Sequence, residues 1–258
     1  MHNVITCILL ILIISFILLP LIFLSENNLD IRETKRALNL ASRAVGVSIE
    51  EKKTNLLNMA KGYRGSEQDF IEIDKDRLLF EFYDVLHSNI PADDKFEKIK
   101  SSIKAKIIVY YDRFFVADSN DGWSAPYFFT VEKDGRLIYL YSNNNKAYYY
   151  DKDGNVKDTD IKALGISEME KNDIVISKLN EVVGKYTSGQ EDARGLSIQI
   201  LNPANDNAGY IAKNSGFNVL DDITFFVVYK DNFHLEENRY KIKYQNFNVA
   251  GYTVKPQF

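Results

Sequence analysis

A chain of 258 residues that is 45% hydrophobic and 26% charged carries enough apolar material for a sizeable core, which excludes a disordered tail. Its net charge of −4 and pI near 5.5, with no long block of Lys or Arg, offer no electrostatic footprint for nucleic acid. The single cysteine, Cys7, excludes an internal disulfide framework.

Ile5 to Leu24 is an apolar run broken only by Thr6, Cys7 and Ser15, and it passes through Leu12, Phe16 and Pro20. As a helix it spans about 30 Å, the thickness of a bilayer's hydrocarbon core. A core helix of this length would carry a polar face. A cleaved signal peptide would have a cationic start, a shorter apolar region and small residues at the cut, where this chain has Phe23-Leu24-Ser25. Residues 1–25 therefore read as the retained anchor of a single-pass membrane protein, with Pro20 kinking its outer end. Arg32, Lys35 and Arg36 follow the anchor and none precedes it, which by the positive-inside rule puts the domain in the cytoplasm. Long domains can translocate despite such charges, so the side of the membrane stays open on this evidence.

Residues 26–66 read as a helical stem. Between Leu29 and Ala60 the residues Leu38, Ala41, Val45 and Ile49 recur at steps of three and four and form one apolar face. A second stripe, Ala37, Ala41, Ala44 and Ser48, is small enough for another helix or a sheet to approach the backbone. It suits packing on the chain's own domain or association with neighbouring copies. Gly46, Gly62 and Gly65 are the weak points of the segment.

Residues 67–258 read as an α+β globular domain: an antiparallel β-meander with packed helices. Asp74 caps a helix over Lys75–Asn89 that buries Leu78, Leu79, Phe82, Val85 and Leu86 and is stopped by Pro91. Asp93–Ser102 adds a short helical segment, and then the period changes to two. Lys106–Ala117, Tyr127–Glu132, Leu137–Ser142 and Lys146–Tyr150 are rich in aromatic and β-branched residues, with Asp134-Gly135 as a tight hairpin turn. A helix over Ser167–Tyr186 follows, with Ile174, Leu179, Val182 and Val183 inward. Further strands are expected at Leu196–Leu201, Ile223–Lys230, Tyr240–Tyr244 and Val249–Val254, with a long loop over Asn202–Asp222.

The chemistry of known sites is hard to assemble from this chain. His2, His87 and His234 are unpaired at any metal-binding spacing. Asp151-Lys152-Asp153-Gly154-Asn155 has the look of a calcium loop, but its glycine falls at the fourth position where an EF-hand needs it at the sixth. Ser101-Ser102-Ile103-Lys104 fits Ser-x-x-Lys without the downstream motifs that complete such a site. No nucleophile elbow, phosphate loop or dinucleotide fingerprint occurs, so the expectation is a non-enzyme with no cofactor and no metal. The most distinctive string, Asp121-Gly122-Trp123-Ser124-Ala125-Pro126-Tyr127-Phe128, suggests a ligand or partner surface at Trp123, Tyr127 and Tyr148, or a tryptophan covering one end of the sheet.

Two strings, Arg36-Ala37-Leu38-Asn39-Leu40-Ala41-Ser42-Arg43-Ala44 and Ile73-Asp74-Lys75-Asp76-Arg77-Leu78-Leu79-Phe80, the second running on to Leu86-His87-Ser88-Asn89, follow the N-terminal apolar run. Together they resemble the membrane-anchored, pilin-like proteins of the tight-adherence (TadE-like) kind found in bacterial type IV-like pilus and secretion clusters. Pilins also carry a basic leader and a Glu inside the apolar segment, whereas no charge lies between Met1 and Glu26 here. The resemblance implies an extracytoplasmic domain, a structural role at the cell surface, and self-association or contact with other membrane or pilus components. Two other roles fit the same layout: a surface domain that binds or senses a small ligand or peptide, and a scaffold of a conjugation machinery.

Overall fold

The computed structural model describes residues 29–49, 73–187, 219–220, 222–233 and 244–254. The anchor residues Ile5, Leu12, Phe16, Pro20 and Leu24 lie outside these, as does the strand expected at Leu196–Leu201. Among the described residues no helix is long and apolar enough to cross a membrane.

Helix α1 is described over 29–49. Its expected stripe, Leu38, Ala41, Val45 and Ile49, is completely buried. Helix α2 spans Lys75–Asn89 and begins where expected, because the Asp74 carboxylate accepts the backbone N–H of Arg77 at 3.1 Å. Helix α3 spans Asp93–Ser102 and leads directly into β1.

The strands are β1 (Ile103–Val109), β2 (Arg113–Ala117), β3 (Tyr127–Phe128), β4 (Thr130–Lys133), β5 (Arg136–Leu140), β6 (Lys146–Tyr150), β7 (Val156–Asp160), β8 (Thr224–Phe233) and β9 (Tyr244–Thr253). A 3-10 turn at Ile161–Leu164 and helix α4 (Glu168–Thr187) separate β7 from β8. Ser167 Oγ accepts the Glu170 N–H at 3.1 Å and caps α4. Among the described residues the strands form two antiparallel sheets, one ordered β3-β2-β1-β8-β9 and the other β4-β5-β6-β7. The α+β class and the antiparallel pairing agree with the sequence pattern.

Strand β1 runs through the middle of the larger sheet and explains the layering. Ala105, Ile107 and Val109 face a core built with Phe114, Phe129, Ile138, Leu140 and the inner face of α4. Ile108 faces the other side, where α1, α2 and α3 contribute Leu38, Val45, Ile49, Phe82, Leu86 and Ile99. Strand β8 alternates in the same way, with Phe226 and Val228 on the first side and Phe225, Val227 and Tyr229 on the second. A strand covered on both faces needs a nearly continuous apolar run, and Thr224-Phe225-Phe226-Val227-Val228-Tyr229 is one. Each fully buried side chain of this size contributes about 1.5–3 kcal/mol.

Several boundaries differ from the sequence pattern. Lys106–Ala117 is two strands, because Tyr110 N–H bonds the Arg113 carbonyl at 2.8 Å and closes a tight turn that has no Gly or Pro to mark it. Tyr127–Glu132 is also two strands, divided at Phe129. The Phe129 N–H bonds Asp112 O at 3.0 Å and its carbonyl accepts from Leu140 N–H at 2.8 Å, so one buried residue carries the chain from the first sheet to the second. The strand expected at Val249–Val254 begins earlier, as β9 over Tyr244–Thr253, and of the strand expected at Tyr240–Tyr244 only Tyr244 is among the described residues. Strand β7 has no counterpart in the sequence reading. The segment 26–66 is set apart by sequence as a stem, yet its described part, 29–49, is a layer of the domain and shares a core with α2, β1 and β8.

Candidate functional site

The four small residues of α1 divide between two environments. Ala37 and Ala41 are buried in the chain's own core, and Ser42 Oγ donates to the Ala250 carbonyl of β9 at 3.4 Å. Gly46 lies so close to Tyr252 that a Cβ there would stand 2.0 Å from the ring's Cδ1. Ala37 and Ala41 are therefore spent inside the molecule, because the helix needs them to approach its own sheet. Ala44 and Ser48 are half-buried, and beside them Leu40 and Val47 keep about two-fifths of their surface, 37% and 41%. That outward stripe also carries the exposed Arg36 and Arg43.

The aromatic trio expected at a ligand surface does not converge. Trp123 packs on the helix-side core, where α1 and α2 lie. Tyr127 stacks on Phe114 at 5.3 Å on the opposite side of the larger sheet, and its hydroxyl lies 3.4 Å from that of Tyr186. The shared hydrogen bond and burial push the Tyr186 phenol up to about 12. Tyr148 is buried on the smaller sheet, stacked on Tyr139 at 4.8 Å. Its hydroxyl donates to Asp112 at 2.8 Å, and burial followed by the Asp112 charge pushes its pKa up. The Arg113 guanidinium closes on the same carboxylate at 2.9 and 3.2 Å and covers the Phe128 ring at 4.8 Å. Asp112 is thus a buried anion with three donors, which fixes the turn between β1 and β2. Among the described residues a groove lies elsewhere, open to solvent along α4 and β4, with about 660 Å³ of space lined by Thr130, Met169, Glu170, Asp173, Ile174 and Lys178.

The acidic loop that resembles a calcium site is organised by itself. Asp151 accepts the N–H groups of Asp153 and Asn155, each at 2.9 Å, and these bonds, with Lys157 nearby, hold its carboxyl below the usual range. Among the described residues no three His, Cys, Asp or Glu side chains gather as metal ligands. Ser101 and Lys104 meet only through the Ser101 carbonyl, at 2.7 Å from the ammonium, so no hydroxyl is activated there. The carbonyls of Ser142 and Asn144 hold the buried Lys171 ammonium at 3.0 and 2.9 Å.

One cluster escapes the sequence reading altogether. Lys106 lies at the centre of β1 and points toward the helices, its side chain 1% exposed. Its amine bonds the Asp118 carbonyl and Asp121 Oδ1, and Tyr83 of α2 donates its hydroxyl to that same Oδ1 at 2.8 Å. Asp121 sits in the left-handed region, φ 65°, in a loop tightened by the Asp118 carboxylate, which accepts from Asn120 N–H at 2.8 Å and Gly122 N–H at 3.1 Å. Burial lowers the Lys106 pKa, and the Asp121 hydrogen bond opposes it. Burial and the same aspartate raise the Tyr83 pKa. Two residues on, the Trp123 indole N–H is buried and has no hydrogen-bond partner among the described residues. The available signal was a lysine within an apolar strand, since a charge at a core position needs a partner.

No protein-family model, no curated protein and no solved structure matches the chain.

Proposed function

We propose that the chain is a membrane-tethered, non-enzymatic assembly module of the pilin-like kind that residues 36–44 and 73–89 resemble, and that copies associate through the outer stripe of α1. The apolar run ends at Leu24, and α1 is helical by residue 29, so only residues 25–28 stand between the proposed tether and the domain. The carrying observation is the division of α1. One stripe is spent on the chain's own sheet, while Leu40, Ala44, Val47 and Ser48 remain at the surface as a narrow apolar and small-residue face.

Tethered copies would share one orientation in the bilayer, which brings equivalent helices side by side. Arg36 and Arg43 flank the stripe and would set which neighbours are accepted. The buried ionisable groups described above are engaged within the fold, Lys106 with Asp121, Tyr148 with Asp112, and Lys171 with the carbonyls of Ser142 and Asn144.

Single cysteines at Leu40, Ala44 or Val47, in a Cys7→Ser background, test this in intact membranes. Bismaleimide treatment is expected to give dimers and larger ladders at these positions and none at the exposed control Met169→Cys. A strictly monomeric pattern at all three positions would refute the proposal. External protease on whole cells gives the side of the membrane: digestion of the domain supports an extracytoplasmic address, and full protection places it inside.

A further inference from the structure

We propose that Lys106 and Asp121 condense into an intramolecular amide, a covalent bar between the central strand β1 and the loop that follows β2. The first requirement is proximity. Lys106 Nζ is in contact with Asp121 Oδ1; the lysine side chain is 1% exposed, and the aspartate side chain keeps 33% of its surface exposed. A nucleophile and a carbonyl carbon held together in this way react as an intramolecular pair, for which effective concentrations reach about 10⁵–10⁸ M.

The second requirement is an amine able to attack. A buried ammonium is disfavoured by its lost hydration, and the surroundings of Lys106 are aromatic: the Tyr83 ring lies 6.0 Å away and Trp123 packs in the same core. Burial favours loss of one proton from the Lys106 ammonium, and the amine that results still has two protons for its two acceptors, the Asp118 carbonyl and the Asp121 carboxyl. The third requirement is help for the leaving oxygen. Tyr83 donates to Oδ1 at 2.8 Å, and burial keeps its phenol protonated, so a proton donor faces the oxygen on which charge develops.

The electrophile is also held still. Asp121 has a backbone conformation that few non-glycine residues adopt, fixed by the two Asp118 hydrogen bonds and by the Ala117–Trp123 bridge. The step balances without a co-reactant. The Nζ–Cγ bond forms and a Cγ–Oδ bond breaks, and the oxygen leaves as water with two protons that started on the lysine ammonium. Charge is conserved, because an ammonium and a carboxylate become a neutral amide. The product also removes the cost of holding a charge on the buried lysine.

The test is a tryptic digest of the full chain extracted from membranes and read by tandem mass spectrometry. Trypsin does not cut after an acylated lysine, so the expected product is a branched peptide joining residues 105–113 to residues 114–133. Its mass is about 18 Da below the sum of the two parts, one water. Lys106→Met and Asp121→Ala should each abolish it, and Tyr83→Phe should leave a mixture of branched and unbranched peptides. Separate peptides 107–113 and 114–133 at full mass from the wild-type chain overturn the proposal. So does a water loss confined to 114–133 with normal cleavage after Lys106, which would mark a succinimide at Asp121-Gly122.

Discussion

Gly46→Ala should reverse its sign when Tyr252 is removed. In a helix interior alanine is favoured over glycine by about 1 kcal/mol. Here the new methyl would lie 2.0, 2.8 and 3.0 Å from three carbons of the Tyr252 ring, where contacts of about 3.5–4.0 Å are normal. The ring must move by more than an ångström or the helix must lift from β9, and overpacking of this kind costs about 1–3 kcal/mol. The helical gain offsets part of that, leaving a net loss of about 1 kcal/mol, or about 2–4 °C in Tm for a domain of this size. In a Tyr252→Ala background the obstacle is gone, and Gly46→Ala should stabilise by about 1 kcal/mol. The coupling between the two positions is then about 2 kcal/mol. Urea unfolding of the full chain in detergent, followed by the fluorescence of the sole tryptophan, Trp123, measures all four proteins. Equal effects of Gly46→Ala in both backgrounds would refute the packing of α1 on β9.

Lys171→Met should flatten the rise of stability with alkaline pH. Burial lowers the folded pKa of Lys171 below its ordinary 10.5, so between the lowered value and 10.5 the unfolded chain binds more protons, and stability climbs as pH rises through that window. Urea midpoints measured from neutral pH to pH 11 should climb less steeply in the variant, and an unchanged slope would remove Lys171 as the cause. Asp112→Ala leaves the Arg113 and Tyr148 donors without their carboxylate and should cost about 3 kcal/mol, the low end for a broken buried pair because Arg113 keeps some solvent contact. Tyr148→Phe, which removes one donor only, should cost about 1 kcal/mol by the same urea titration.

Helices were legible where local chemistry decides them. Asp74, Pro91 and the 3.6-residue stripes of α1, α2 and α4 all act through neighbours in sequence, so α2 falls at its expected bounds and α4 within a residue of them. The Asp134-Gly135 hairpin was equally local: Lys133 pairs with Arg136, and both turn residues take positive φ, 52° and 70°. Strand ends set by tertiary contacts were not legible. The Tyr110–Asp112 turn carries aromatic residues because the two cores bury what surrounds it, and β7, Val156-Lys157-Asp158-Thr159-Asp160, is a charged edge strand with no apolar alternation. Such edges resist unwanted pairing, and the same charges hide them from a hydrophobicity pattern. For the site, Trp123, Tyr127 and Tyr148 stood out as residue types, but which side of which sheet each one faces depends on the crossing at Phe129. Lys106, Tyr83 and Asp121 converge from a strand, a helix and a loop, and no spacing rule connects them.

The sheet order has a consequence for the chain as it is being made. Strand β1 pairs with β2 within a few residues, but its other edge waits for β8, as in the pairing of Ile103 with Tyr229. Throughout the synthesis of the second sheet and α4, the emerging polypeptide carries an apolar strand with one row of backbone donors and acceptors unmatched. Such an edge invites pairing with a neighbouring nascent chain, and non-local closure of this kind is slow. Expression yield should therefore depend on whatever shields β1 on the ribosome or at the translocation machinery, and a chain interrupted before residue 224 should aggregate rather than persist as a smaller folded unit.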